Sequence, residues 1–351
     1  MRPQAKEQLM NGTVIPAIPL VLHADRTLDE AGQRRLIRYY LAAGAGGLAV
    51  AVHTTQFAIR DSGIDLFQPV LAIAANEISR FEEKTGRTVI RIAGVCGPRQ
   101  QAEREAETAV SLGYDAVLLS PGGLSGHSEE QLLDRTEAIA RIAPVIGFYL
   151  QPAVGGRVFS FAYWQALCEI EGVVAIKVAP FERYLTLDVM RAVALSSRSD
   201  KIALYTGNDD HILLDLLSEY TFTQDGRQFR ARFAGGLLGH WAVWTHTVVQ
   251  LFEQLKRERN QASVATHWLT LANQMTDCNS AVFDTANHYK GCIAGIHEIL
   301  RRQGLMEGIW TLDEEETLSP GQVEELDRVQ RQYPHLLDDA FVKRFLADDR
   351  P

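Results

Sequence analysis

Short β-favouring runs recur along the first two-thirds of the chain at nearly regular intervals, and this period limits the possible folds more than any other feature. The runs begin near Thr13, Gly47, Thr88, Asp115, Val145, Val173, Ile202 and Arg230, between about 27 and 41 residues apart. An interval near 30 residues is the length of a strand, a helix and their two connections. Several runs are apolar at successive positions, as in Ala116-Val117-Leu118-Leu119, which is the pattern of parallel strands covered on both faces. Eight such units predict an α/β protein of the (β/α)8 TIM barrel class.

The segments between the runs carry helix signals. Thr27-Leu28-Asp29-Glu30 and Ser128-Glu129-Glu130-Gln131 have capping-box spacing, and Gly44, Gly113 and Gly172 each follow a helical pattern shortly before the next run. After the eighth run, Arg230-Ala231-Arg232-Phe233-Ala234, the strand signals stop. Residues 241–257, 262–277 and 285–302 read as long amphipathic helices, and Pro320–Leu346 as a charged helical tail. Residues 221–230 read as a polar insertion leading into the eighth strand. The expected organisation is a barrel over 1–239 that carries the active site, a C-terminal helical subdomain over 240–306, and a linker with a charged tail over 307–351.

Composition narrows the partners. A formal charge of −9 without a Lys/Arg block excludes a general nucleic-acid binder. No apolar stretch approaches the roughly 18 residues of a membrane helix, and Met1-Arg2-Pro3-Gln4-Ala5-Lys6 lacks a signal-peptide core, so a cytoplasmic protein without a membrane partner is expected. The four cysteines, Cys96, Cys168, Cys278 and Cys292, form no C-x-x-C pair. His288 and Cys292 stand four apart, but two ligands are too few for a metal site. Neither a metal nor a cofactor is expected.

In barrels of this class reactive groups sit at the C-terminal ends of the strands. Lys177 lies near the end of Val173-Val174-Ala175-Ile176-Lys177-Val178, and Tyr149 near the end of the preceding run, 28 positions earlier. Burial disfavours a charged ammonium and makes a neutral, nucleophilic amine available near neutral pH. Taken singly, Lys177 reads as a cation reaching solvent, Tyr149 as a core aromatic, and Thr54 and Thr55 as strand residues. Their joint placement, with His53-Thr54-Thr55-Gln56 after the second run and Thr206-Gly207-Asn208-Asp209-Asp210 after the seventh, marks a site.

The constellation resembles the dihydrodipicolinate synthase and N-acetylneuraminate lyase family of class I aldolases over roughly residues 10 to 306. Lys177 matches the family's Schiff-base lysine, and Tyr149-Leu150-Gln151-Pro152 its Y-x-x-P motif, whose tyrosine shuttles protons. Thr54-Thr55 match the centre of its G-T-T-G-E loop. Tyr205-Thr206-Gly207-Asn208-Asp209 resembles its S-G-D-D segment, and Phe233-Ala234-Gly235-Gly236-Leu237-Leu238-Gly239 its glycine-rich eighth strand. The resemblance implies catalytic roles for Lys177, Tyr149 and Thr55. It implies substrate contacts from Thr54, His53, Gly207 and Leu238. It also implies a homo-oligomer, dimer or tetramer, and a small-molecule 2-oxo acid as substrate.

The departures are equally specific. Ser120-Pro121-Gly122-Gly123 stands where dihydrodipicolinate synthases have a tyrosine pair, and Val154 stands where an arginine grips the second substrate. Arg157, three residues further on, is the candidate substitute. His53 and Gln56 replace glycines, and Phe57 replaces the glutamate. The expected activity is therefore an aldolase-type lyase or hydro-lyase acting on pyruvate or another 2-oxo acid, distinct from typical dihydrodipicolinate synthesis. The alternative is a non-catalytic or regulatory barrel that binds a 2-oxo acid.

Overall fold

The structure is a computed structural model that describes residues 1–349. Its strands are β1 (Val14–Pro16), β2 (Gly47–Val50), β3 (Ile90–Val95), β4 (Ala116–Leu119), β5 (Val145–Leu150), β6 (Val173–Ala179), β7 (Ala203–Thr206), β8 (Tyr220–Gln224), β9 (Arg227–Ala231) and β10 (Phe233–Leu238). The helices are α1 (Pro3–Asn11), α2 (Glu30–Ala43), α3 (Phe67–Thr85), α4 (Arg99–Ser111), α5 (Glu129–Ala140), α6 (Phe161–Glu169), α7 (Arg183–Leu195), α8 (Ile212–Leu217), α9 (Thr245–Glu258), α10 (His267–Val282), α11 (Cys292–Arg302), α12 (Gln322–Gln332) and α13 (Asp339–Asp348).

Eight parallel strands form one sheet in the order β1-β10-β7-β6-β5-β4-β3-β2. A parallel bridge between Ala17 and Ala49 joins its two ends, with the Ile18 N–H donating to the Ala49 carbonyl at 3.0 Å. The result is the expected nearly closed (β/α)8 barrel with extra C-terminal helices. Among the described residues no helix is long and apolar enough to cross a membrane.

The chain divides into two compact units. One comprises Met1–Thr13 and Ile90–Leu237. Its barrel strands β3 to β7 are almost wholly buried, as their largely apolar runs require. Helix α1 is tied in by the Arg2 guanidinium, which donates to both carboxylate oxygens of Asp115 at 2.9 and 2.7 Å, while the Arg91 N–H donates to the same carboxylate at 3.1 Å. The other unit comprises Val14–Val89 and the chain from Leu238 onward. Here the tail is built into the packing. The Tyr39 hydroxyl donates to Asp338 at 2.6 Å, and the Tyr39 ring lies against Phe341 and Phe345.

Several local expectations are corrected. The eighth barrel strand begins at Phe233, not near Arg230, and the polar insertion before it is an antiparallel hairpin over residues 220–231. Asp225-Gly226 turns that hairpin with φ of 50° and 74°, the two-residue geometry that an Asp-Gly pair favours. The N-cap of α2 is Asp29, which accepts the Gly32 N–H, so Thr27 lies outside the helix. The predicted helix over 285–302 starts only at Cys292, because the Asp284 carboxylate accepts from Asn287 and from the Gly291 N–H and holds a turn there. The tail breaks into α12 and α13 at Tyr333-Pro334, where proline cannot continue the helical ladder.

Candidate active site

Strand parity decides which side chains can meet inside a barrel. A Cβ on Gly147 would lie 2.9 Å from Leu167 of α6, so Gly147 faces the helices. Phe148 therefore points the opposite way and Tyr149 the same way as Gly147. Phe148 pairs with Lys177 in the β5–β6 register, and the Lys177 amine lies 4.5 Å from the centre of the Phe148 ring. That contact is a cation–π arrangement when the amine is charged.

Lys177 is 8% exposed. Desolvation lowers its pKa from 10.5 to about 8, against the opposing pull of the Asp209 carboxylate. The end of β7 is shaped around this side chain. A Cβ on Gly207 would lie 2.6 Å from Lys177 Cε and 2.8 Å from Ala179 Cβ, so only glycine lets the lysine lie there. The Gly207 N–H donates to the Val178 carbonyl at 2.7 Å, and the Asp209 N–H donates back to the Gly207 carbonyl at 3.1 Å.

Beneath that loop is a buried polar network. Asp215 accepts from Thr206 at 2.6 Å, from Asn208 at 2.9 Å and from Arg183 at 2.5 Å. The Asn208 side-chain oxygen accepts the Phe181 N–H at 3.0 Å. These bonds fix the backbone on both sides of Gly207 and Asp209, as outer-shell partners fix a reactive group. Burial would raise the Asp215 carboxyl, but hydrogen bonding with His211, Thr206 and Asn208 and the charge of Arg183 hold it below its ordinary value.

The structure does not bring Tyr149 to the amine. Its ring is fully buried and packs 4.8 Å from Trp164 and 5.8 Å from Phe159, and its hydroxyl accepts the Phe159 N–H at 3.5 Å. Burial pushes the phenol up to about 12. Counting from Gly147, a one-residue offset between motif and strand face puts Phe148 at the inward position. Arg157 donates to the His127 carbonyl at 2.6 Å and lies over the Phe159 ring, which gives it a bracing role in the loops.

The remaining candidates belong to the other unit. Thr54 and Thr55 form a single helical turn with His53 after β2. Their hydroxyls donate to the Ala17 and Ile18 carbonyls at 2.8 Å each, so their hydrogens already anchor this loop to the end of β1. The His53 ring lies edge-on to Phe57. Leu238 is buried, and its carbonyl accepts the Ala17 N–H at 3.1 Å. The Gln56 side-chain oxygen accepts the Leu312 N–H at 2.6 Å, which ties this loop to the C-terminal segment. Among the described residues no three His, Cys, Asp or Glu side chains are grouped to hold a metal.

Sequence reasoning missed Phe148, which strand parity could have found.

Residues 10–219 match the Dihydrodipicolinate synthetase family. The chain belongs to this family. A 4-hydroxy-tetrahydrodipicolinate synthase of Bifidobacterium longum is 26% identical over 268 residues, covering 75% of this chain and 76% of that protein. A probable 5-dehydro-4-deoxyglucarate dehydratase of Streptomyces coelicolor is 28% identical over 180 residues, 51% of each chain. Among solved structures, N-acetylneuraminate lyase from Fusobacterium nucleatum complexed with pyruvate superposes with a TM-score of 0.70, covering 93% of this chain and 99% of that one. At 20% identity this last likeness establishes the fold. The family is thus one of lyases and aldolases, and its members differ in the reaction they carry out.

Proposed function

We propose that this protein is a class I aldolase-type lyase or hydro-lyase in which the Lys177 amine forms an imine with pyruvate or another 2-oxo acid. The observation that carries the reading is the desolvated lysine inside the barrel, 8% exposed and seated against Gly207. With a pKa near 8, a useful fraction of the amine is neutral and nucleophilic at neutral pH. Once formed, the protonated imine is an electron sink. It accepts the electron pair released when a C–C bond breaks or when a proton is lost ahead of water elimination. The family relative complexed with pyruvate supports a 2-oxo acid as the electrophile.

Typical dihydrodipicolinate synthesis is disfavoured by Ser120-Pro121-Gly122-Gly123 and by Val154. The experiment is reductive trapping. With borohydride and pyruvate, intact-mass analysis should show one adduct per chain, lost in Lys177→Ala. An adduct that survives this substitution sinks the proposal. Phe148 at the inward position opposite Lys177 favours a second reading, a barrel that binds a 2-oxo acid without turning it over. Trapping without any aldol, retro-aldol or dehydration product across a broad substrate panel would support that reading.

A further inference from the structure

Helix α5 buries Leu132, Arg135, Thr136 and Ile139, the spacing of a single core-facing stripe. One member of that stripe is a guanidinium. Arg135 is 4% exposed, and its Nε and Nη2 are buried without a hydrogen-bond partner. Among the described residues no carboxylate lies within ion-pair distance of it. The buried Glu105 acts on it only as a charge beyond that range; its carboxylate oxygens accept the Cys96 N–H at 3.1 Å and the Gln101 amide at 2.7 Å. Desolvation takes Arg135 from 12.5 to about 10, so it stays a cation at neutral pH. A buried cation with no counter-charge and open N–H groups is costly to keep.

The guanidinium lines a cavity of about 10 Å3 bounded by β4, β5, α5 and α6, which is room for one water-sized occupant. Leu119, Leu132, Val145 and Leu167 give it apolar walls. Gly147 also lines it and leaves the space, since a Cβ there would lie 2.9 Å from Leu167. Two other polar side chains border it. The Thr136 hydroxyl is committed to the Leu132 carbonyl at 2.8 Å, and burial holds the Tyr163 phenol above its ordinary value, so it remains a protonated O–H. A water there satisfies N–H groups and leaves the charge unbalanced, while a polyatomic oxyanion exceeds one water's space. A monatomic halide meets both the charge and the size.

We propose that Arg135 and this cavity form a binding site for a single chloride ion. The ion supplies the counter-charge that lets α5 bury this residue against β4 and β5, and the site does not depend on the chemistry of Lys177.

The first test is a crystal of the full chain grown free of halide and soaked in sodium bromide. An anomalous peak is expected within hydrogen-bond reach of Arg135 Nε and Nη2, and its loss in Arg135→Met. No peak at that position in crystals that show bromide elsewhere on the chain overturns the assignment, and so does the same peak in Arg135→Met. The second test is thermal melting in sodium chloride and in sodium gluconate at matched ionic strength, which separates binding from screening. In gluconate Arg135→Met should melt above the natural chain, because the variant has no charge to bury. Saturating chloride should raise the natural chain by about 2 °C or more and leave the variant unmoved. Equal chloride responses in the two chains, or no response in the natural chain, overturn the site. The bromide soak of the natural chain needs no variant and decides the matter if Arg135→Met does not fold.

Discussion

Replacing Lys177 with methionine measures how firmly the fold withholds this amine from water. Methionine keeps nearly the length of the side chain and carries no charge. In the folded chain desolvation, opposed by Asp209, takes the lysine from 10.5 to about 8. That interval corresponds to about 3 kcal/mol of penalty on the ammonium form. Because the folded-state value is the lower one, the unfolded chain binds more protons between about pH 8 and 10.5. The penalty is therefore present in full below pH 8 and disappears as pH rises through that window. Every other titrating group is shared by the two chains, so the difference between them isolates this one. Equilibrium urea unfolding, followed by tryptophan fluorescence with Trp164 reporting from the unit that holds Lys177, should show Lys177→Met gaining on the natural chain by up to about 3 kcal/mol more at pH 7 than at pH 10.5. A difference independent of pH across that range would refute the desolvated amine.

Other outcomes follow from the same contacts. Gly207→Ala puts a methyl against Ala179 Cβ and the Lys177 chain, and should cost about 1–3 kcal/mol of stability while cutting the pyruvate trapping rate by at least about tenfold; thermal melts and intact mass check the two parts. Asp115→Ala removes the carboxylate that holds Arg2 and the Arg91 N–H, and should lower stability by about 2 kcal/mol in urea unfolding. Ser128→Ala removes the oxygen that accepts the Gln131 N–H at the start of α5; a loss of about 1 kcal/mol in the same assay is expected, with activity unchanged.

The barrel was legible because its signal is a period, and a period survives local error. Seven of the eight runs begin within about two residues of their strands. The eighth was displaced because the hairpin's alternating residues around Asp225-Gly226 imitate a barrel strand until the turn is recognised. Lys177 was legible because a charge in an apolar run is conspicuous. Tyr149 misled because motif spacing does not report which face of a strand a side chain takes, and a single residue reverses it. Thr54 and Thr55 stood out in the sequence, but their hydroxyl partners at Ala17 and Ile18 depend on contacts across some 36 residues that no local pattern encodes.

A crystal structure of the natural chain soaked with pyruvate tests the central claim most directly. Continuous density is expected from Lys177 Nζ to the keto carbon, with no such bond at any other lysine. Pyruvate bound in the barrel with the Lys177 amine unmodified, or an imine formed on a different lysine, would contradict it.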